Sequence, residues 1–304
     1  MYRSQKAAKY VSGEKFLSRH PEIWPICVPS YNRPNPEIAK RASDDLPLVF
    51  FVRREQLPQY KHLKDRFRVV PIDGVKDIGE TRSKILKWAR VKGYDNIFML
   101  DDDVTQVDYL YPWETSGGKL CMRASHINEH NGENGLRPVA FRMWQAYVDK
   151  LHEDTVITTI SYRPNSWSLK YADMETVYNC GYAIQCVHLN VKKLCENGLD
   201  YSSNAFCGVE DYALQFQAME KGLRTTVIRD LMYHCPAINS NPGGCENMGG
   251  ISDPHERYEH YRELFLKNIS GKDHPGVGVK RSASGFISIK FKWDYWKIKQ
   301  GKEK

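Results

Sequence analysis

The sequence predicts an α/β protein built on a mostly parallel central sheet flanked by helices. Three observations carry that reading. Short apolar runs of strand length recur through the first 110 residues, helix-period segments separate them, and each run stops abruptly at a polar cluster. Strands that are apolar on both faces belong to a parallel sheet covered on both sides. In such sheets ligands bind beyond the carboxyl ends of the strands, where these polar clusters fall.

The elements follow in order. Trp24-Pro25-Ile26-Cys27-Val28-Pro29 is the first apolar run, and it ends in the turn signal Ser30-Tyr31-Asn32-Arg33-Pro34-Asn35. Leu48–Val52 is the second run, and Phe67–Ile72, stopped by Asp73-Gly74, is the third. Helix periodicity spans Ile78–Tyr94, with Ile85, Leu86, Trp88 and Ala89 on one stripe. The fourth run, Asn96–Leu100, breaks into Asp101-Asp102-Asp103. Residues 110–136 read as a loop rich in Gly, Asn and His, expected to be mobile. An amphipathic helix is predicted over Pro138–Glu153, and strands over Thr155–Ser161 and Tyr178–Leu189. Val209–Lys221 has helix periodicity and closes on Gly222 in the C′ position. Thr225–Tyr233 is a strand that runs into His234, and Asp253–Ile269 a helix with Pro254 early in it.

At 304 residues, 41% hydrophobic and 27% charged, the chain can bury a core without disulfides or metals as staples. No apolar run reaches the ~18 residues of a membrane span, and the basic N-terminus lacks an export signal's apolar stretch. A cytoplasmic location is the expectation. Cysteines 27, 121, 180, 186, 195, 207, 235 and 245 form no CxxC pair and read as reduced thiols. Residues 257–304 hold 12 basic and 5 acidic residues, so the entire net charge of +7 lies there and the body is neutral. The segment Phe286–Lys299 (FISIKFKWDYWKIK) interleaves Lys with aromatics. It can grip phosphates and stack on bases, or act as an amphipathic strand packing its Phe and Trp on the domain.

The chemistry concentrates at strand ends. Three adjacent carboxylates repel one another unless a cation neutralises them, and a hard divalent ion suits their oxygens. Asp101 and Asp103, at i and i+2 of an extended segment, point the same way and can share one ion. A solvated acidic turn or a helix N-cap is the alternative. Glu210-Asp211 opens a helix, where the dipole favours acids whatever their function, and either can serve as a general base. His234 is a candidate further metal ligand or a structural strand-end histidine. Arg82 can reach a diphosphate or lie on the surface.

In order, VPSYNRPN, IGETRSKIL, IFMLDDDV, FCGVEDYALQFQAMEKG and MYH resemble the GT-A glycosyltransferase superfamily over roughly residues 24–235. That resemblance implies a Rossmann-like GT-A fold and transfer of a sugar from a nucleotide-sugar donor. It assigns Pro29, Tyr31 and Arg33 to the nucleotide base. Asp101 and Asp103 become the DxD pair holding metal, Mn²⁺ or Mg²⁺, with Asp102 near the donor sugar. His234 completes the metal shell, and Glu210-Asp211 supplies the acceptor base of an inverting member. Two departures stand out. The second strand runs into Arg53-Arg54-Glu55, so Asp73 substitutes for the usual acidic base contact, and Thr81-Arg82-Ser83 stands where many relatives have Ala-Arg-Asn. Uridine is the expected base.

The compact opening, the DDD cluster, the ED helix and the basic tail also resemble the phage TET-associated glycosyltransferases. These add sugars to 5-hydroxymethylcytosine in DNA, a base that would be flipped out of the duplex. A glycan, protein or lipid acceptor is the alternative, and a nucleotidyltransferase the alternative of another class. The implied organisation is a lead-in over residues 1–22 and a GT-A domain over 23–252. That domain has a donor half at about 23–110 and an acceptor half at about 137–252. A C-terminal helix and basic aromatic tail occupy 253–304. No membrane partner is expected, and the location implied is the bacterial host cytoplasm.

Overall fold

Four parallel strands carry the site: β1 (Ile26–Ser30), β2 (Leu48–Arg53), β3 (Arg68–Ile72) and β4 (Asn96–Leu100), side by side in the order β3-β2-β1-β4. In the computed structural model, residues 24–42, 46–114, 120–124, 138–162, 177–179, 181–201, 209–236, 253–268, 274–281 and 287–299 are described. Helix α1 (Glu37–Arg41) follows β1, a 3₁₀ segment (Arg54–Asp65) follows β2, and α2 (Ile78–Val91) precedes β4. The N-cap of α2 is Asp77, whose carboxylate accepts from the Glu80 backbone N–H at 2.8 Å and satisfies one orphan donor. Ile85, Leu86 and Ala89 of the predicted stripe are buried on the sheet with Phe51 and Met99, and Trp88 packs edge-on against Phe51.

After β4 come β5 (Gln106–Glu114) and β6 (Leu120–Ala124), then α3 (Pro138–Asp149), β7 (Thr155–Tyr162), β8 (Val177–Asn179) and β9 (Cys186–Asn190). Helices α4 (Val191–Glu196) and α5 (Glu210–Glu220) lead to β10 (Arg224–His234). The sheet order is β3-β2-β1-β4-β9-β7-β10-β5-β6, with β8 on β10. Among the described strands only β9, β5 and β8 run against the common direction, so the sheet is mixed but mostly parallel, as expected. One face is covered by α1, the 3₁₀ segment and α3, through Ile38, Tyr60, Phe141 and Trp144. The other carries α2, α4 and α5, through Ile85, Leu194 and Leu214.

Three expectations need correction. Residues 110–136 are not one loop: β5 and β6 form an antiparallel hairpin reaching Ala124, with 115–119 and 125–137 outside the described residues. The aromatic run Tyr109-Leu110-Tyr111-Pro112-Trp113 has strand composition that the Gly- and Asn-rich remainder masks. The strand predicted over Tyr178–Leu189 is two strands with different partners, β8 on β10 and β9 between β4 and β7. Between them the buried Gln215 amide accepts from the Ala183 N–H at 3.1 Å and donates to the Gly181 carbonyl. Gly181 lies so close to Val227 that a Cβ would sit 2.1 Å from its Cγ2. The tail is likewise not one strand.

In the C-terminal unit, α6 (Pro254–Asn268) is followed by the antiparallel pair β11 (Val277–Arg281) and β12 (Ile287–Phe291), then α7 (Trp293–Lys299). The unit packs Phe265, Ile289, Phe291 and Trp296 against Ala213, Phe216 and Met219 of α5. Trp296 is fully buried and donates its indole N–H to the Gly276 carbonyl at 2.8 Å. No described helix is long and apolar enough to cross a membrane. Described cysteines Cys27, Cys186, Cys195 and Cys235 are free thiols.

Candidate active site

β4 is buried between its neighbours and delivers Asp101, Asp102 and Asp103 to its carboxyl end. The three carboxylates part company there. Asp102 is 5% exposed and turns towards the loop after β1. Ser30 Oγ donates to its Oδ2 at 2.6 Å, and Arg33 Nη1 donates to its Oδ1 at 2.5 Å. Burial pushes the Asp102 carboxyl up to about 7, against the opposing pull of Arg33 and the Ser30 hydrogen bond. Tyr60, buried under this loop, accepts from the Arg33 backbone N–H at 2.9 Å and hydrogen-bonds Ser30 Oγ at 3.1 Å. Asp102 therefore fastens the β4 terminus to the β1 loop. Arg33 also reaches Asp103 Oδ2 at 3.3 Å.

Asp101 faces the opposite way, towards α2 and α5. Arg82, buried in the first turns of α2, donates from Nη2 to Asp101 Oδ1 at 2.7 Å. Its Nη1 lies 3.0 Å from Glu210 Oε1 and hydrogen-bonds Asp211 as well. Burial alone would lower the Arg82 pKa, but the charges of Asp211, Asp101 and Glu210 raise it well above the ordinary value. Burial raises Asp211, with Arg82 opposing. Gln185 joins the same groups through its backbone. Its carbonyl accepts from the Asp101 N–H at 2.8 Å, and its own N–H serves the Asp211 carboxylate. Gln185 holds φ at +59°, a left-handed conformation rare for a residue with a side chain. The Tyr201 ring lies 5.7 Å from the Arg82 guanidinium.

Asp103 completes the picture. Its Oδ1 is buried with no hydrogen-bond partner, and burial together with the Asp101 charge raises its pKa against the pull of Arg33. A hard-oxygen pair that is mutually repelling and incompletely satisfied fits a divalent cation. His234 lies beyond it at the end of β10, with Thr105 Oγ1 2.8 Å from its Nδ1, so a metal bond would have to come from Nε2. Among the described residues, no three of His, Cys, Asp and Glu converge as a ready-made metal cage. Asp101, Asp103 and His234 are thus brought to one end of the sheet without forming a closed set.

The remaining predicted residues divide. Pro29 is buried within β1, in register with Phe51. Tyr31 is partly exposed and stacks with Arg53, whose guanidinium carbon is 4.1 Å from the ring centroid. Asp73 is not drawn to Arg33 or Tyr31. Its carboxylate accepts from Arg54 Nε at 2.6 Å and from Nη2 at 2.8 Å, in an ion pair whose side chains are 60% exposed. Ser30, Tyr60, Gln185 and Tyr201 were not singled out by the sequence. Ser30 sits inside the recognised turn and was the one within reach of that reading.

A doubly covered, mostly parallel sheet, with carboxylates at the end of β4 and an acidic helix start tied to them, has the layout of a GT-A glycosyltransferase. The chain belongs to the TET-Associated Glycosyltransferase family, whose profile matches residues 40–244. Among solved structures, it is similar to S. aureus TarS in complex with UDP-GlcNAc, at 14% identity and a TM-score of 0.48, over 82% of this chain and 66% of that one. Against TarS 1-349 in complex with UDP, this chain spans 65% of that chain. GalNAc-T7 with UDP, GalNAc and Mn²⁺ is similar at 11% identity and a TM-score of 0.39, over 84% of this chain and 52% of that one. No curated protein sequence matches the chain.

Proposed function

We propose that this glycosyltransferase moves a sugar from a UDP-sugar to the hydroxyl of a 5-hydroxymethylpyrimidine in DNA, inside a bacterial cell and with a divalent cation, Mn²⁺ or Mg²⁺. The observation that carries the reading is the arrangement around Arg82. It sets the carboxylate of the metal-type strand end beside the carboxylates of a base-type helix start, on a family-defined glycosyltransferase scaffold.

The chain's own residues divide the work. Tyr31, backed by Arg53 and preceded by Pro29, offers a face for the nucleotide base, and Asp73 with Arg54 borders that side of the sheet. Arg33, anchored on Asp102 and Tyr60, brings a fixed positive charge to the strand end where the donor diphosphate would lie. Asp102 acts at the donor sugar by holding that loop. Asp101 and Asp103, with His234, would hold the cation, which supplies charge neutralisation for the departing diphosphate. Asp211 or Glu210 takes the proton from the acceptor hydroxyl as it attacks the anomeric carbon.

The DNA acceptor is supported by the charge layout. In β12 and the residue after it, Ile289 and Phe291 are buried while Lys290 and Lys292 alternate with them and are exposed. The unit that holds the whole net positive charge therefore turns lysines to solvent and keeps Phe291 and Trp296 inside. That favours phosphate attraction over base stacking. The test is mass spectrometry of 5-hydroxymethylcytosine DNA incubated with UDP-sugars and Mn²⁺. A sugar-sized mass gain that disappears in Asp103→Ala is expected. UDP release with no change in the DNA would overturn the acceptor, and no turnover at all would overturn the reading.

A further inference from the structure

Sequence pattern directs Arg82 towards a donor diphosphate, yet the structure spends both of its terminal nitrogens on protein carboxylates. Nη2 is on Asp101 at 2.7 Å, and Nη1 is on Glu210 at 3.0 Å and on Asp211. The arginine side chain is 5% exposed, Glu210 6% and Asp211 13%, so these contacts are made largely out of water. Guanidinium geometry is what such a site requires. A planar fork holds two groups on different elements in one fixed geometry, where an ammonium is a rotatable point charge on a flexible stem. Only Nε is left, buried and without a hydrogen-bond partner.

A second bridge, made by different atoms, joins the Asp101 backbone to the Asp211 carboxylate. The Gln185 carbonyl takes the Asp101 N–H at 2.8 Å, and the Gln185 N–H serves Asp211. It can do both because Gln185 adopts φ +59°, an uncommon conformation that persists only where its surroundings hold it. Tyr233 contributes to that hold, with its hydroxyl 3.3 Å from the Ile184 carbonyl oxygen.

From this double bridge we infer that Arg82 is a positioning residue, acting with the Gln185 backbone. The two fix the Glu210–Asp211 base pair relative to Asp101 at the end of β4. The inference rests on the functional reading above and deepens it. Arg82 acts through the base and not on the donor, so its loss misplaces a proton acceptor without weakening donor binding. Misplacement of about 1 Å at a reacting group costs roughly 10²-fold in rate.

The experiment measures kcat and donor KM for Arg82→Lys beside the wild-type chain, using the UDP-sugar and DNA pair that the wild type turns over. The expected result is a kcat lower by about 10–100-fold with donor KM within about 2-fold. A raised donor KM with kcat unchanged would make Arg82 a diphosphate clamp and overturn the inference, as would two unchanged constants. If Arg82→Lys does not fold, Gln185→Val takes its place. A β-branched side chain resists the left-handed conformation, so the same fall in kcat at constant donor KM is expected, and unchanged kinetics would overturn the inference. Lack of turnover by the wild type would overturn the functional reading and this inference together. An active wild type with a fully active Arg82→Lys would overturn the inference alone.

Discussion

Helix α5 is held in two contrasting ways along its short length. Its first residues, Glu210 and Asp211, meet Arg82 in a buried ionic knot, while Ala213, Phe216 and Met219 lie in an aromatic and aliphatic cluster with the C-terminal unit. The two ends store different things. Apolar packing stabilises roughly in proportion to area and tolerates small shifts. A buried ionic knot contributes little net stability because desolvation offsets the attraction, but it fixes geometry and is costly to break on one side. The site needs geometry and the appendage needs adhesion, so the charges lie towards the strand ends and the aromatics lie away from them.

The sharpest break of this comparison is Asp103→Ala. It removes one of the two carboxylates suited to the cation while touching neither Arg82 nor the aromatic cluster. Transfer should fall by about 10³-fold with little change in melting temperature, measured as UDP release and thermal unfolding on the same sample. Activity equal to the wild type, or activity that survives excess EDTA, would remove the cation from the mechanism.

Next come two substitutions that should cost similar stability by different routes. Arg82→Ala leaves Asp101, Glu210 and Asp211 facing one another without their counter-charge, at a cost of about 3–5 kcal/mol. Trp296→Ala empties the centre of the aromatic cluster and also costs about 3–5 kcal/mol. Urea unfolding measures both. The contrast appears in turnover at a temperature where both variants are folded. Arg82→Ala should be nearly inactive, and Trp296→Ala within about 3-fold of wild type. Equal loss of activity in the two would mean that the appendage and the site are one mechanical unit.

The same division explains what the sequence could and could not disclose. Asp101–Asp103 after a buried run and Glu210-Asp211 before a helix were legible because acids at the ends of apolar elements stand out locally. The aromatic tail was legible in composition but not in shape. Its period changes from Ile287/Ile289/Phe291 to Trp293/Trp296, which marks the passage from β12 to α7. Partnership was harder. Arg82 is expected at a diphosphate or on the surface, yet Asp101, Glu210 and Asp211 reach it from two other elements, and no local pattern announces that. The left-handed φ of Gln185 had no signal at all, since glutamine is an ordinary strand-flanking residue.

A region with neither fixed charge nor exposed surface provides a control. His188 in β9 is buried against Trp24 and Phe98, with Nε2 3.0 Å from Asn96 Oδ1 and Nδ1 without a partner. Burial lowers its pKa from 6.5 to about 3. The unfolded chain therefore binds a proton that the fold excludes, and stability is full above about pH 6.5 and lost as pH falls towards 3. The loss attributable to this group is about 3 kcal/mol by pH 4. Urea titrations across that range, compared with His188→Gln, should show the pH slope weaken in the variant, and an unchanged slope would assign it elsewhere.

The smallest effect in stability is expected at the solvent face of the appendage. Lys290 in β12 and Lys292 just after it are exposed, so replacing both by Ala should change unfolding free energy by no more than about 0.5 kcal/mol. Their effect belongs to another observable. Each lysine that meets a phosphate releases a counterion, so affinity for unmodified duplex DNA should depend less steeply on salt in the double variant. The slope of log K against log salt should be smaller by about 2. Unmodified DNA separates this from catalysis, because no hydroxyl is offered. An unchanged slope would leave the appendage as adhesion alone, with its aromatics packed on α5 and its lysines serving solubility. A reduced slope would give its two faces separate tasks, one holding the helix that carries the base and the other holding the duplex that carries the acceptor.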